Sequence, residues 1–135
     1  MKVLAVDYGS KRIGLAVGNT LTRVATPLGQ VAAGSLMDVL AQIRKRVGEF
    51  EIEHIVVGYP LNMDGSRSLT CERVDQFINY LQNKIALPIS RVDEKLSSFA
   101  AEEMGKEMQS DFRKRKLFLD GLSAQVILQN YFEQT

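Results

Sequence analysis

The sequence predicts an α/β protein built on a five-stranded mixed sheet with helices on both faces. Short apolar runs of strand length, such as Val3–Val6 and Ile55–Val57, alternate along the later part of the chain with stretches of helical periodicity. Three strand-like runs precede the first helical stretch, which is typical of an antiparallel meander. The chain has 135 residues, of which 45% are hydrophobic and 24% charged, and this size fits one domain spanning residues 1–135.

The first three predicted strands form the meander. The continuous apolar run Val3–Val6 is typical of a strand covered on both faces, and it stops at Asp7 before a glycine turn. The runs Ile13–Val17 and Arg23–Val31 predict the next two strands. Between them, Gly18-Asn19-Thr20 suits a hairpin connection.

The hydrophobic period changes at Ser35, where apolar residues begin to recur at helical spacing. Ser35 is a suitable N-cap for this helix, and Gly48 is a suitable residue to end it. A second buried strand at Ile52–Val57 follows and is closed by Gly58-Tyr59-Pro60. The apolar face of the first helix comprises Leu36, Val39, Leu40, Ile43 and Val47.

The carboxyl-terminal half continues the alternation of helix and strand. A second helix precedes a short strand at Ile89–Val92, and a further helical stretch runs from Ser97 or Ser98 to about Met108. The charged segment Gln109–Lys116 then leads into the last helix. The apolar faces of the second and last helices comprise Val74, Phe77, Ile78 and Leu81, and Ala124, Ile127, Leu128 and Tyr131, respectively.

Composition excludes several functional classes. Seventeen Lys and Arg against sixteen Asp and Glu give a net charge of +1, so a polyanionic partner must be met by a local patch. One cysteine, Cys71, rules out an internal disulfide and is expected to be a half-buried helix residue, and one histidine, His54, rules out a His-rich metal site. The longest apolar runs are far shorter than the roughly 20 residues of a membrane span. Lys2 leads directly into a strand, unlike a signal peptide, so we expect a cytoplasmic protein.

The turn after the first strand carries the first candidate site. Gly9-Ser-Lys-Arg-Ile-Gly14 has the glycine spacing of a phosphate loop, but Leu15-Ala16 replaces the required Lys-Ser/Thr and a strand follows. What remains is Asp7 at the carboxyl end of a strand, beside Lys11 and Arg12, where open α/β sheets place ligands. In the plainer alternative, Asp7 only caps a turn and the two cations are solvated.

Two further acidic positions complete a possible metal site. Asp93-Glu94 follows another strand, although it could simply lead into a helix, and Asp120 could be a plain N-cap at the start of the last helix. If the sheet brings these carboxylates near Asp7, their oxygens suit Mg²⁺ or Mn²⁺. Paired ions roughly 3.5–4 Å apart can activate a water and stabilise the leaving oxygen of a phosphodiester. Such a site would be a nuclease centre without histidine.

Four segments, spread in order over nearly the whole chain, together carry a family resemblance. They are Asp7-Tyr-Gly-Ser-Lys-Arg-Ile-Gly-Leu-Ala16, Gly58-Tyr-Pro-Leu-Asn-Met-Asp-Gly65, Asp93-Glu-Lys-Leu-Ser97, and Lys116-Leu-Phe-Leu-Asp120 followed by Ser123-Ala124. These segments resemble the successive motifs of the YqgF family. That resemblance implies a ribonuclease-H-like fold and a nuclease of precursor 16S ribosomal RNA, acting at its 5′ end, or of branched DNA at Holliday junctions. It also implies ribosomal particles as possible partners.

The resemblance also assigns roles to individual residues. It implies that the metal-binding catalytic acids are Asp7, Glu94 and Asp120. Two departures from the family pattern stand out. Lys95 replaces an arginine, so a bidentate phosphate contact becomes a point charge, and the strand ending at Gly58 supplies no acid. The residues that the resemblance places along the nucleic-acid groove are Lys11, Arg12, Asn62 and Lys116.

The densest basic run, Arg113-Lys114-Arg115-Lys116, lies just before Asp120. Such runs are usually solvated loops, but this position favours a flap that grips phosphate groups. Phe112 beside it is a weak candidate for stacking on a base. Together with Lys95, these four cations are predicted to contact nucleic acid.

The leading hypothesis is therefore a metal-dependent endonuclease acting on structured nucleic acid. The residues themselves do not choose between RNA and DNA, or between one metal ion and two. A phosphotransferase of the sugar-kinase type shares the Asp-x-Gly strand end, but it needs two related domains and this chain supplies one. A nucleic-acid-binding ribosome-assembly factor without catalytic activity is the third possibility, and the three acids argue against it.

Overall fold

A computed structural model describes residues 1–61, 64–93 and 112–134. These residues form the predicted five-stranded mixed sheet with helices on both faces. The strand order is β3-β2-β1-β4-β5. The strands are β1 (Lys2–Tyr8), β2 (Arg12–Asn19), β3 (Val24–Ala32), β4 (His54–Tyr59) and β5 (Ile89–Asp93), and the helices are α1 (Leu36–Phe50), α2 (Leu69–Lys84) and α3 (Phe112–Gln134).

The strand directions bring three strand ends to one edge of the sheet. The first three strands form the predicted antiparallel meander, whereas β4 is parallel to β1 and β5 is parallel to β4. Val6 is level with Val57, and Tyr59 is level with Asp93. We call this border, where β1, β4 and β5 end, the carboxyl edge. Ligand sites of open α/β sheets lie at such edges.

Side chains along β1 divide the core into two layers. Leu4 and Val6 pack with α1 and α2, while Val3 and Ala5 pack against α3 on the other side. All four are fully buried, which explains why the run has no polar alternation. We name these two sides of the sheet the α1–α2 face and the α3 face.

At the ends of α1, the predicted N-cap is confirmed and the predicted C-cap is wrong. The Ser35 hydroxyl accepts a hydrogen bond from the Asp38 amide at 3.2 Å, as expected of an N-cap. Gly48 does not end the helix. The helix continues to Phe50, and Glu51 adopts the left-handed conformation (φ 53°) and donates its N–H to the Val47 carbonyl. Many helices end with a residue in this conformation, which glycine favours but other residues can adopt. Cys71, expected to be half-buried, is completely buried.

The start of α3 differs from the prediction. The helix begins at Phe112, so the basic run Arg113–Lys116 occupies its first turns and is not a loop or flap. Asp120 accordingly lies inside the helix and is not its N-cap. The physical reason is that residues 112–120 contain neither glycine nor proline and are rich in good helix formers. The predicted helix from Ser97 or Ser98 to Met108 falls outside the described residues.

Among the described residues, no helix has both the length and the apolar character needed to cross a membrane.

Candidate active site

Asp7 occupies the carboxyl edge on the central strand of the sheet. It pairs with Gly14 of β2 and is half-buried. Because alternate residues of a strand point to opposite faces, Asp7 shares the α3 face with Val3 and Ala5. Its neighbour Tyr8 lies on the α1–α2 face, where its ring stacks on that of Phe77 with 4.0 Å between the centroids. The candidate catalytic acid therefore lies between two residues, Val6 and Tyr8, that are packed in the core of the α1–α2 face.

A tight turn after Asp7 presents the two predicted phosphate-binding cations. The Gly9 amide donates to the Arg12 carbonyl at 3.1 Å, and a Cβ at Gly9 would lie only 2.5 Å from that same oxygen. No other residue fits this turn without a backbone shift. Lys11 and Arg12 are both exposed. The Lys11 carbonyl accepts from the Ala33 amide at 2.9 Å, which ties the turn to the end of β3.

Arg73 also reaches this turn, although the sequence interpretation did not select it. Its Nη2 donates to the Gly9 carbonyl at 3.0 Å, and its guanidinium carbon lies 5.0 Å from the centre of the Tyr8 ring. Arg73 precedes Phe77 by one helical turn, so both lie on the side of α2 that packs against the sheet. A cation on a sheet-facing side of a helix is the pattern that could have revealed it.

The second predicted acid follows β5. Val92 is buried in the core of the α3 face, so its neighbour Asp93 belongs to the α1–α2 face, level with Tyr59. Asp93 and Asp7 are thus on opposite faces of the sheet. Glu94, the predicted ligand, and Lys95 lie outside the described residues, as does Asn62.

The third predicted acid lies on α3. Asp120 precedes Ala124 by four residues, about one helical turn, and Ala124 is buried in the core that covers the face carrying Asp7. For Asp120 and for the basic run, the structure describes the backbone alone. Among residues whose side chains are described, no three His, Cys, Asp or Glu side chains cluster closely enough to hold a metal. Of the three predicted metal ligands, only Asp7 is among the residues whose side chains are described.

A charged network secures the β4 and β5 side of the carboxyl edge. Asp75 of α2 accepts hydrogen bonds from the Tyr59 hydroxyl at 2.9 Å, from Arg67 at 2.6 Å and from Arg91 at 3.0 and 3.1 Å. The Arg91 guanidinium also lies over the Tyr59 ring, 5.6 Å from its centre. This network attaches edge strand β5, and the loop before α2, to the helix.

The same network shifts the pKa values of Asp75 and Tyr59. Burial raises the pKa of Asp75, but the hydrogen bonds from Tyr59 and Arg91 and the charges of Arg91 and Arg67 outweigh it, so the pKa lies below its usual range. Burial, together with the adjacent Asp75 carboxylate, raises the pKa of the Tyr59 hydroxyl. Both groups therefore keep their ordinary charge at neutral pH, with Asp75 ionised and Tyr59 neutral.

The fold and an acid at the end of its central strand define a ribonuclease-H-like α/β protein. Solved structures share the architecture. RuvC from T. thermophilus, in complex with a Holliday junction substrate, matches with a TM-score of 0.58 and 15% identity, covering 99% of this chain and 96% of that one. The fowlpox virus Holliday junction resolvase matches with a TM-score of 0.57 and 11% identity, covering 100% of both chains. At these identities the likeness shows the fold alone.

The family follows from the sequence. The model of the RuvX family, described as Holliday junction resolvase, matches residues 1–134, and the chain belongs to this family. A protein of Syntrophus aciditrophicus is 37% identical over 133 residues, covering 98% of this chain and 89% of that protein. A protein of Dechloromonas aromatica is 40% identical over 131 residues, covering 97% and 90%. Both are named "Putative pre-16S rRNA nuclease".

Membership confirms the resemblance to the YqgF family and makes the chain a nuclease, a hydrolase of phosphodiester bonds. Its substrate class is therefore nucleic acid. Nucleases with this fold generally use divalent metal ions.

Proposed function

We propose that this chain is an endonuclease that cleaves structured nucleic acid with Mg²⁺ or Mn²⁺ held by Asp7, Glu94 and Asp120. The observation that carries the proposal is the position of Asp7. It is half-buried at the carboxyl end of the central strand, on the face covered by the helix that contains Asp120. This is the place where an α/β sheet offers a ligand site. The residues before and after Asp7 are both packed in the core of the α1–α2 face.

The donor set suits the proposed ions. All three residues offer carboxylate oxygens, the ligands that Mg²⁺ and Mn²⁺ prefer, and neither a thiolate nor an imidazole is among them. When bound, the metal would activate a water and stabilise the leaving oxygen.

The phosphate groups of the substrate would be bound by polar and positively charged residues of this chain. Lys11 and Arg12 are exposed on the turn that follows Asp7, so they are placed to bind phosphate groups beside the acid. Arg12 can bind phosphate in a bidentate manner, and Lys11 acts as a point charge. Asn62, Lys95 and the basic run Arg113–Lys116 would extend this contact along the strand.

Precursor 16S ribosomal RNA is the substrate we favour. The two relatives described above that carry this name are 37% and 40% identical over almost the whole chain, whereas the two structural neighbours described above are only 15% and 11% identical. Branched DNA is the second candidate, because the family description names Holliday junction resolution. An enzyme of precursor ribosomal RNA would work in the cytoplasm, on assembling ribosomal particles.

The test compares both substrates under the same conditions. Purified protein is incubated with Mg²⁺ or Mn²⁺ and either end-labelled precursor 16S RNA or a labelled four-way DNA junction. The Asp7→Asn variant, which preserves the size of the side chain, serves as the matched control. We expect metal-dependent cleavage of the RNA that the variant lacks. Cleavage of the junction alone would reassign the substrate to DNA, and binding of either without cleavage would support the assembly-factor alternative.

A further inference from the structure

We infer that Arg73 is a positioning residue for phosphodiester cleavage, which acts by fixing the turn after Asp7. Its side chain crosses from α2 to the sheet and contacts the two residues that follow Asp7. Nη2 donates to the Gly9 carbonyl at 3.0 Å, and the guanidinium lies 5.0 Å from the centre of the Tyr8 ring. The inference rests on the proposed function, because it assigns Arg73 to the same site.

The turn depends on this contact because Gly9 joins β1 to the hairpin. The Gly9 amide is bonded to the Arg12 carbonyl, and the Gly9 carbonyl is bonded to Arg73. The second bond has a charged donor, and such bonds are stronger than neutral ones. Arg73 therefore fixes the backbone next to Asp7, at the start of the turn that also carries Lys11 and Arg12.

Tyr8 provides a second route from Arg73 to Asp7. Its ring lies near the guanidinium and stacks on Phe77, four residues further along α2, with an angle of 15° between the rings. Arginine over an aromatic ring is an attractive arrangement that lysine reproduces only partly. One turn of α2 therefore fixes both Tyr8 and Gly9, the residues that immediately follow Asp7.

Ion pairing does not account for Arg73. Arg67 and Arg91 are both paired with Asp75, whereas Arg73 forms no ion pair with any residue whose side chain the structure describes. Arg73 is nevertheless half-buried, which is costly for a cation without specific partners. Its partners are a backbone carbonyl and an aromatic ring, both adjacent to the candidate acid.

The experiment compares Arg73→Gln and Arg73→Lys with Arg44→Gln. Arg44 is the matched control because it also donates to a backbone carbonyl, that of Lys84 at 2.9 Å, and has no contact with the turn. Three quantities are measured for each protein: the single-turnover cleavage rate at saturating enzyme, substrate binding over a salt series, and amide hydrogen exchange of residues 9–12. Thermal unfolding shows that each variant is folded.

We expect Arg73→Gln to slow the single-turnover rate by up to about 100-fold, the effect of misplacing reacting groups by about 1 Å. Amide exchange in the turn should accelerate, while the salt dependence of binding stays unchanged. Arg73→Lys should restore part of the cleavage rate and part of the protection against amide exchange, because it keeps a charged donor. Arg44→Gln should match the wild-type protein in all three measurements.

Several results would overturn the inference. A normal cleavage rate in folded Arg73→Gln would reduce Arg73 to a structural residue. A salt slope lowered by about 0.7–0.9 would show that Arg73 instead contacts a phosphate group. If the wild-type protein cleaves neither substrate, the proposed function fails, and hydrogen exchange then decides separately whether Arg73 fixes the turn. If amide exchange of residues 9–12 is unchanged in both Arg73 variants, the claim that Arg73 fixes the turn is also rejected.

Discussion

The hydroxyl of Tyr131 lies 3.2 Å from Nδ1 of His54, which connects the last helix to the fourth strand. The other ring nitrogen of His54 lies 2.8 Å from the Ser90 hydroxyl on the neighbouring strand. His54 is only 9% exposed, and its ring also packs edge-on against that of Tyr131. The single histidine of the chain thus joins three elements on the face of the sheet that carries Asp7.

His54 should make the protein less stable in mildly acidic solution. Burial lowers its pKa below the ordinary value of 6.5, so the unfolded chain binds a proton more readily than the folded one. The free energy of unfolding is then highest at a pH above the pKa that His54 has in the unfolded chain. It decreases as the pH falls through the pKa that His54 has in the folded protein. Urea unfolding at about pH 7.5 and about pH 5.5, which lie on either side of the pKa of histidine in an unfolded chain, measures the change in the free energy of unfolding.

The matched variant for this measurement is His54→Gln, which retains hydrogen-bonding groups but does not titrate in this range. The wild-type protein should lose more stability between the two pH values than the variant does. An equal loss in both proteins would assign the pH dependence to other groups.

Asp7→Asn should reduce cleavage by at least about 100-fold, the scale of losing one group that stabilises charge in the transition state. The amide preserves the shape of the side chain but removes the charge that the metal requires. Thermal unfolding and nucleic-acid binding should remain close to those of the wild-type protein. Glu49→Gln, an exposed acid-to-amide change in α1, is the control and should cleave normally. Undiminished cleavage by folded Asp7→Asn would remove Asp7 from the catalytic site.

Glu94 and Asp93 should respond differently to the same kind of change. Asp93 belongs to the α1–α2 face, opposite Asp7, because alternate residues of a strand point to opposite faces. The family resemblance assigns the metal ligand to Glu94, so Glu94→Gln should abolish metal-dependent turnover, whereas Asp93→Asn should retain most of it. The two variants are compared by single-turnover cleavage over a series of Mg²⁺ or Mn²⁺ concentrations. The reverse result would make Asp93 the ligand.

Much of the fold could be predicted because the sheet is covered on both sides. Val3–Val6 and the run that ends at Val57 are continuous apolar segments, and burial on both faces produces that pattern. The apolar side of α2 could be predicted for a similar reason, since Val74, Phe77 and Leu81 recur at helical spacing and are all buried. In these elements the local pattern and the packing agree.

The helix ends could not be predicted, because they depend on backbone angles. The position of Arg73 on the sheet-facing side of α2 is visible in the sequence, but its contact with Gly9 is not, because the two residues are far apart along the chain. Gly48 is a plausible C-cap by composition, but the helix continues to Phe50 and Glu51 adopts the left-handed angles that end it. Asp120 resembles an N-cap, yet the helix begins eight residues earlier. Arg73 acquires its role only when α2 is packed against the end of β1. The position of Asp7 at the end of β1 could be predicted because its strand and turn are adjacent in the sequence.

Two glycines should respond oppositely to alanine. Gly48 lies inside α1 and a Cβ there meets no atom within 4 Å, so Gly48→Ala should stabilise the protein by about 0.5–1 kcal/mol through helix propensity. A Cβ on Gly18 would lie 2.5 Å from the Val24 carbonyl oxygen and 2.8 Å from the Phe132 ring. Gly18→Ala should therefore destabilise by about 1–3 kcal/mol. Urea unfolding of both variants measures these changes, and stabilisation by Gly18→Ala would contradict the packing of α3 on β2.

The basic run Arg113–Lys116 should determine substrate affinity and not the chemical step. Its place in the first turns of α3 makes alanine a mild replacement, since alanine is the best helix former. Each phosphate contact releases condensed counterions, so replacing all four cations should weaken binding and lower the slope of log K against log salt by about 0.7–0.9 for each lost contact. The single-turnover rate at saturating enzyme should change little.

The control for the basic run is Lys45→Ala with Arg46→Ala, which also removes positive charge from a helix. These residues lie near the end of α1, which leads into the start of β4, and are therefore remote from the carboxyl edge. Binding of one RNA and one junction DNA is measured over the same salt series for both variants. A slope equally reduced in both would reflect net charge, whereas an unchanged slope after replacing the basic run would make it a solvated turn of helix. A normal slope with lost cleavage would place one of its residues, Lys116 first because it is closest in sequence to Asp120, in the active site.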